Sequence, residues 1–127
     1  MTRPFWLWGP VVVQMALIFF ASAIPDLQSI PGGVSDHTAH FLGYGLLGAL
    51  VLRALAAARW HGVSPRAAAL AWLVCAVYGA TDEWHQAYVP GRTPALDDWL
   101  ADALGAATAV IGLAAVALIR RRRSRAV

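Results

Sequence analysis

The chain has 127 residues, 59% of them in the hydrophobic set and only 13% charged, with a mean hydropathy of +0.57. Soluble domains are about 45–50% apolar and about 25% charged, and disordered chains are poor in Leu, Val, Ile and aromatics, so neither class fits. One cysteine, Cys75, excludes an intramolecular disulfide and a cysteine-based zinc site. The net charge of +3 comes from ten arginines and no lysine, set against seven acidic residues.

Four apolar stretches follow in chain order, each near the roughly 20 residues that a membrane-spanning helix requires. They run over about 5–24, 38–58, 67–84 and 99–119, and a basic tail occupies 120–127. Pro25, Pro31-Gly32-Gly33, Gly62 to Pro65 and Pro90-Gly91 with Pro94 punctuate the links. There is no heptad pattern and no long-period repeat. Ala21-Ser22-Ala23 has the small-residue character of a signal-peptide cleavage site, but the preceding apolar run exceeds the usual 7–15 residues. The first stretch is therefore expected to stay as an anchor. The predicted fold is all-α: a single polytopic membrane domain, built as a four-helix bundle.

Arginine positions set the expected orientation. Arg3 precedes the first span, Arg53, Arg59 and Arg66 surround the link between the second and third, and Arg120–Arg123 and Arg125 follow the fourth. Four crossings place all of these on one side, which makes both termini cytoplasmic. The other side receives Arg92 and every acidic residue: Asp26, Asp36, Asp82, Glu83, Asp97, Asp98 and Asp102. Trp6, Trp8, Trp60, Trp84 and Trp99 lie near span ends, where aromatic belts form. The basic pI near 9.8 reads as topology and attraction to anionic lipid, not as a nucleic-acid footprint. Membrane lipid is the expected partner, and a multi-pass place in the cell membrane the expected location.

The acidic side carries the candidate chemistry. Asp36 and His40 are i,i+4 with Tyr44 one turn on, Asp82 is i,i+3 to His85 and i,i+4 to Gln86, and Asp98 and Asp102 are i,i+4. Such spacings place each set on one helix face. Ala101, Gly105 and Ala109 continue the Asp98 face as a small-residue stripe suited to close helix packing, and Gly43 is expected to act similarly beside Asp36. Asp36 and Asp98, or Asp97 in its place, also suit helix N-caps. Capping does not account for Asp102, a turn further in, nor for Asp82 and Glu83, whose charge opposes the dipole at a helix C-terminus. Ionisable residues inside a membrane mark functional sites by default. Asp36, His40, Asp82, Glu83, His85, Asp98 and Asp102 are accordingly candidate catalytic groups, with Tyr44, Gln86 and Arg92 as candidate binding groups. Asp36, His40, Asp82, His85, Asp98 and Asp102 are also candidate ligands for a divalent metal. Arg92 reads either as a loop-ordering salt bridge or as an anion-binding group. Cys75 and Tyr78 read as core packing.

Three ordered segments resemble the VanZ-like membrane protein family. Ser35-Asp36-His37-Thr38-Ala39-His40-Phe41-Leu42-Gly43-Tyr44 is similar to its first motif, Asp-Lys-x-x-His-Phe-x-x-Tyr. Asp82-Glu83-Trp84-His85-Gln86-Ala87-Tyr88-Val89-Pro90-Gly91-Arg92 resembles the second, Asp-Glu-x-x-Gln-x-x-x-Pro-Gly-Arg. Asp98-Trp99-Leu100-Ala101-Asp102-Ala103-Leu104-Gly105 resembles the third, Asp-x-x-x-Asn-x-x-Gly, and Ile18-Phe19-Phe20-Ala21-Ser22 with Pro25 is similar to the family's usual end of span one. His37 stands where the family often has Lys, which removes support for a fixed cation there. Asp102 stands where it often has Asn, and the added carboxylate favours a metal or proton role. The resemblance implies an envelope function linked to low-level resistance to the glycopeptide teicoplanin.

Three functions remain open on the sequence. An enzyme would use the carboxylates with His40 or His85, or a metal, on an envelope lipid or lipid-linked wall precursor, with Arg92 holding an anion. A binding protein would sequester glycopeptide or precursor unchanged. A structural module would use the polar cluster only as interhelical glue, where hydrogen bonds average about 0.6 kcal/mol. A transporter is disfavoured, since there is no evident pair of repeated, broken spans.

Overall fold

The structure, a computed structural model, describes residues 3–25, 29–30 and 33–125. Four helices follow one another: α1 (Arg3–Ser22), α2 (Asp36–Leu55), α3 (Pro65–Gln86) and α4 (Leu96–Arg125). This is the expected all-α four-helix fold. Short antiparallel pieces β1 (Ser29–Ile30) and β2 (Val34–Ser35) pair between α1 and α2, Ser29 opposite Ser35 and Ile30 opposite Val34. Nothing in the sequence patterning announces them, because two-residue strands are too short to show alternation. A 3-10 turn at Trp60–Gly62 joins α2 to α3.

Local chemistry explains the helix starts. Ser35 caps α2, its hydroxyl accepting the Thr38 amide at 3.2 Å, and Ser64 caps α3 by accepting the Ala67 amide at 3.1 Å. Pro65 then occupies the first turn of α3, where its missing N–H costs nothing. Asp36 and Asp98 are thus not N-caps: both lie inside the first turn of their helices. At the far end α4 continues through the arginine run to Arg125.

Packing depends on small residues. α2 and α4 form the most extensive helix pair. Gly45 faces the Gly105 carbonyl, Gly48 faces Ala106, and a Cβ on Gly105 would collide with the Phe41 carbonyl. The buried face of α4 runs through Asp98, Asp102, Gly105, Ala106 and Val110. The expected Ala101–Gly105–Ala109 stripe is therefore only partly right, since Ala101 and Ala109 are half-buried at its flank. Gly43 does not meet α4 at all. It faces Ile18 of α1, and its carbonyl accepts from Gln14 at 3.1 Å.

Polar side chains cross the helix interfaces in pairs. Trp72 of α3 donates to the Ala103 carbonyl of α4 at 3.1 Å, and Trp99 of α4 donates back to the Ala76 carbonyl of α3 at 2.9 Å. Tyr78 donates to the Met15 carbonyl at 2.7 Å, so it ties α3 to α1 as well as packing. Pro10, inside α1, has no amide for the Trp6 carbonyl four residues back. Arg53 of α2 supplies that missing donor at 3.1 Å. Cys75 is fully buried, as expected.

Large apolar side chains point outward instead: Val12 and Leu17 on α1, Leu46 on α2, Val77 on α3, Leu104 and Ile111 on α4. By length and composition α1, α2 and α4 can each cross a membrane. α3 is long enough at 22 residues, but Arg66 at its start and Asp82, Glu83 and His85 at its end lower the hydropathy of its apolar run.

Candidate functional site

The last turns of α1 and α3 and the first turns of α2 and α4 meet at one end of the bundle, and there the acidic residues converge. His40 of α2 is the hub. Its Nδ1 lies 2.8 Å from Oδ1 of Asp102 on α4, and its Nε2 lies 3.9 Å from Oδ1 of Asp36, one turn back on its own helix. One imidazole thus stands between two carboxylates. Asp102 is fully buried, and its second oxygen lies against Gly79 of α3, where a Cβ would come within 2.9 Å. A glycine at that position leaves room for the carboxylate between α3 and α4, where any larger residue would push Asp102 aside.

The second motif approaches from α3. Asp82, 3% exposed, accepts a 2.9 Å hydrogen bond from the Ser22 hydroxyl at the end of α1. Glu83 accepts the Ala95 amide at 2.9 Å and so anchors the start of α4 to the end of α3. The Val89–Arg92 turn, closed by a 3.1 Å backbone bond and with Gly91 at φ +76°, brings Arg92 back over the site. Arg92 binds Asp36 at 3.0 Å and reaches the Ala21 carbonyl at 3.4 Å. This is the loop-ordering ion pair expected of it. Asp98 lies 3.6 Å from the exposed His37.

A cleft of about 80 Å³ opens among Ser22, Asp36, His40, Tyr44, Asp82 and Arg92. Several polar atoms around it are buried without a hydrogen-bond partner among the described residues: the Tyr44 hydroxyl, Oδ1 of Asp82, Oε1 of Glu83, Nε2 of Gln86 and Oδ2 of Asp102. Buried polar atoms are nearly always paired, so such a concentration is unusual for a purely structural core.

Most of the predicted residues therefore share one end, and Asp36, His40, Tyr44, Asp82, Arg92 and Asp102 form its centre. Two sets bring their donor atoms within 4.8 Å of one another: Asp36, His40 and Asp98; and His40, Asp82 and Asp102. His85 enters neither. Its ring stacks on Phe19 at 4.4 Å, in a neighbouring hollow with Tyr78, Thr81, Trp84 and Tyr88 that shares Asp82 with the cleft. Asp26 lies outside the described residues. Sequence reasoning missed Ser22 and Gly79, because a serine ending an apolar span and a glycine within one carry no chemical signal by themselves.

The profile of the VanZ/LLP1 family matches residues 7–119. The chain belongs to the VanZ/LLP1 family. That span takes in every residue of the site, and with three helices apolar enough to cross a bilayer it makes the chain a membrane protein. No curated protein and no solved structure matches it significantly. The three segments that resembled VanZ-like motifs are the three that supply the convergent residues: Asp36 with His40, Asp82 with Arg92, and Asp98 with Asp102.

Proposed function

We propose that this VanZ/LLP1 protein is a four-span cell-membrane protein with both termini cytoplasmic, and that its acidic end faces outward to act on an envelope lipid or lipid-linked wall precursor. The observation that carries this reading is the Asp36–His40–Asp102 series, with His40 and Asp102 buried and Asp36 half-buried beside a cleft held by Arg92. An imidazole flanked by carboxylates is suited to accept and return a proton at its nitrogen. A cleft of about 80 Å³ admits a phosphate or carboxyl group, and is far below the ~300–1,000 Å³ of pockets that enclose drug-sized ligands. A headgroup therefore suits the site better than an enclosed glycopeptide, and any teicoplanin phenotype would follow from a modified or masked envelope target.

The test has two arms. Cysteines introduced at Thr93 and His61 should be labelled by a membrane-impermeant reagent from outside and inside the cell respectively, over a low background from buried Cys75. The full chain, reconstituted with lipid-linked precursor, should yield a product detectable by mass spectrometry, lost in His40→Gln and Asp102→Asn. Labelling in the opposite sense removes the outward site, and precursor recovered unchanged removes the enzyme.

A second reading, helix packing alone, is favoured by one observation: the His40–Asp102 contact joins α2 to α4, the largest helix interface. It predicts that resistance survives Asp102→Asn in a protein that stays folded.

A further inference from the structure

We infer that His40, Asp82 and Asp102 bind a divalent metal ion of the zinc or manganese kind at the inner end of the acidic cleft. The inference takes up the same cluster that is read above as the functional site, and it concerns what occupies the cluster before any substrate arrives.

The donor atoms are already gathered. One nitrogen and two carboxylate oxygens lie within 4.8 Å of one another, contributed by three different helices. Donors about 2.1 Å from a common metal lie about 3.0–3.4 Å from each other. The 2.8 Å contact between Nδ1 of His40 and Oδ1 of Asp102 is a hydrogen bond. An ion takes the place of its proton and opens the pair by a few tenths of an ångström to a polyhedron edge, with Asp82 already within 4.8 Å of both. Imidazole with carboxylate suits zinc, iron and manganese better than calcium, which takes oxygen ligands.

Three further observations point to a ligand. Oδ1 of Asp82, Oδ2 of Asp102 and the Tyr44 hydroxyl are all more than nine-tenths buried and make no hydrogen bond within 3.5 Å among the described residues, although the Tyr44 hydroxyl faces the Asp82 carboxylate. Asp82 and Tyr44 line the cleft, whose volume suits an ion with one or two waters. Charge balance agrees. Asp36, Asp82, Glu83, Asp98 and Asp102 gather at this end, and among the described residues the basic groups that pair with them are Arg92, His37 and His40, three against five carboxylates. A cluster of buried carboxylates requires compensation.

The surroundings resemble those of a metal-bound histidine. Such a ring commonly directs its other N–H to a carboxylate, which fixes its tautomer. Here Nε2 of His40 faces Asp36, itself held by Arg92. Asp36 is then a positioning residue, and its loss should weaken the metal about 10–100-fold without removing a ligand.

The experiment uses the full chain in detergent, stripped with a chelator and offered Zn²⁺, Mn²⁺ or Ca²⁺. The expected result is one Zn²⁺ or Mn²⁺ per chain, little Ca²⁺, and nitrogen hyperfine coupling on the Mn²⁺ resonance. Asp82→Asn and Asp102→Asn should abolish uptake, Asp36→Asn should weaken it, and the pair His37→Gln with His61→Gln should leave it unchanged. Circular dichroism and gel filtration confirm that each variant is folded. If an acidic-site variant fails to fold, the wild-type nitrogen coupling and its survival in a His37→Gln, His61→Gln, His85→Gln triple variant decide alone, because His40 is then the one histidine left. A folded wild-type chain that takes up no metal overturns the inference, as does uptake that follows His37 and His61. Metal uptake is measured without substrate, so a bound ion with no turnover sinks only the catalytic reading, and turnover without an ion sinks only this one.

Discussion

The two ends of the bundle are held by opposite means. At the acidic end, side chains bind side chains in the interior: His40 to Asp102, Ser22 to Asp82, Arg92 to Asp36. At the arginine end, side chains bind backbone near the surface. Arg121 of α4 donates to the carbonyls of Trp60, His61 and Val63 in the α2–α3 link, Arg53 donates to Trp6, and Arg120 lies over the Trp60 ring at 4.7 Å. Arginine donors facing carbonyls keep their charge near solvent and suit helix C-termini, although Nε of Arg121 is buried without a partner among the described residues. The acidic end instead concentrates like charge and unpartnered oxygens where water is scarce. Such an arrangement is costly for stability alone, and proteins keep features of this kind where function requires them.

That contrast can be broken experimentally. The largest effect should come from Gly105→Leu, just below the site, where even a Cβ collides with the Phe41 carbonyl. Overpacking typically costs about 1–3 kcal/mol, and here the obstacle is backbone that cannot rotate away, so the loss should reach at least the top of that range. Thermal unfolding in detergent measures it. A wild-type melting temperature would mean that α2 and α4 do not approach as closely as described.

Next in size, Arg121→Ala should cost about 1 kcal/mol, since a charged donor to several carbonyls is lost at a partly exposed site. The α2–α3 link should then exchange its amide hydrogens faster, while activity is untouched. A stability loss as large as that of Gly105→Leu would show that the arginine end is no mere surface clasp.

The smallest effect concerns the acidic end itself. A double-mutant cycle on His40 and Asp102 should return a coupling near 0.6 kcal/mol, within the ~1.7 kcal/mol maximum measured for interhelical bonds in membranes. Activity, by contrast, should be lost in both single variants. A coupling well above that maximum, with activity retained, would reverse the comparison and make the cluster a structural clamp.

Much of the fold is legible in the residues, because hydrophobic runs and charge sorting are local properties. The helices depart from the expected spans mainly at their ends, as at Asp36 and Leu96, where serine caps and turn geometry rather than hydropathy set the boundary. Helix α3 is the instructive case: its apolar run is diluted by the residues that build the site. The site is legible as three motifs, each internally ordered by i,i+4 spacing. Spacing could not reveal that His85 would turn to Phe19 while His40 took the centre. Both histidines stand beside an aspartate in sequence, and only the rotation of each helix against its neighbours distinguishes them.

The sequence by itself determines that the chain forms apolar helices, that every arginine but Arg92 separates from the carboxylates, and that three motifs carry its polar residues. Periodicity and charge are enough for that, since both act within one helix. Tertiary structure alone decides that His40 meets Asp102 from another helix more closely than its own neighbour Asp36, that Ser22 binds Asp82, and that Arg92 folds back over α2. Those choices depend on how far and at what rotation the helices approach. Gly45, Gly48, Gly79 and Gly105 set that approach through the space their missing side chains leave. The arithmetic of charge shows where the acids gather, and the glycines decide which of them touch.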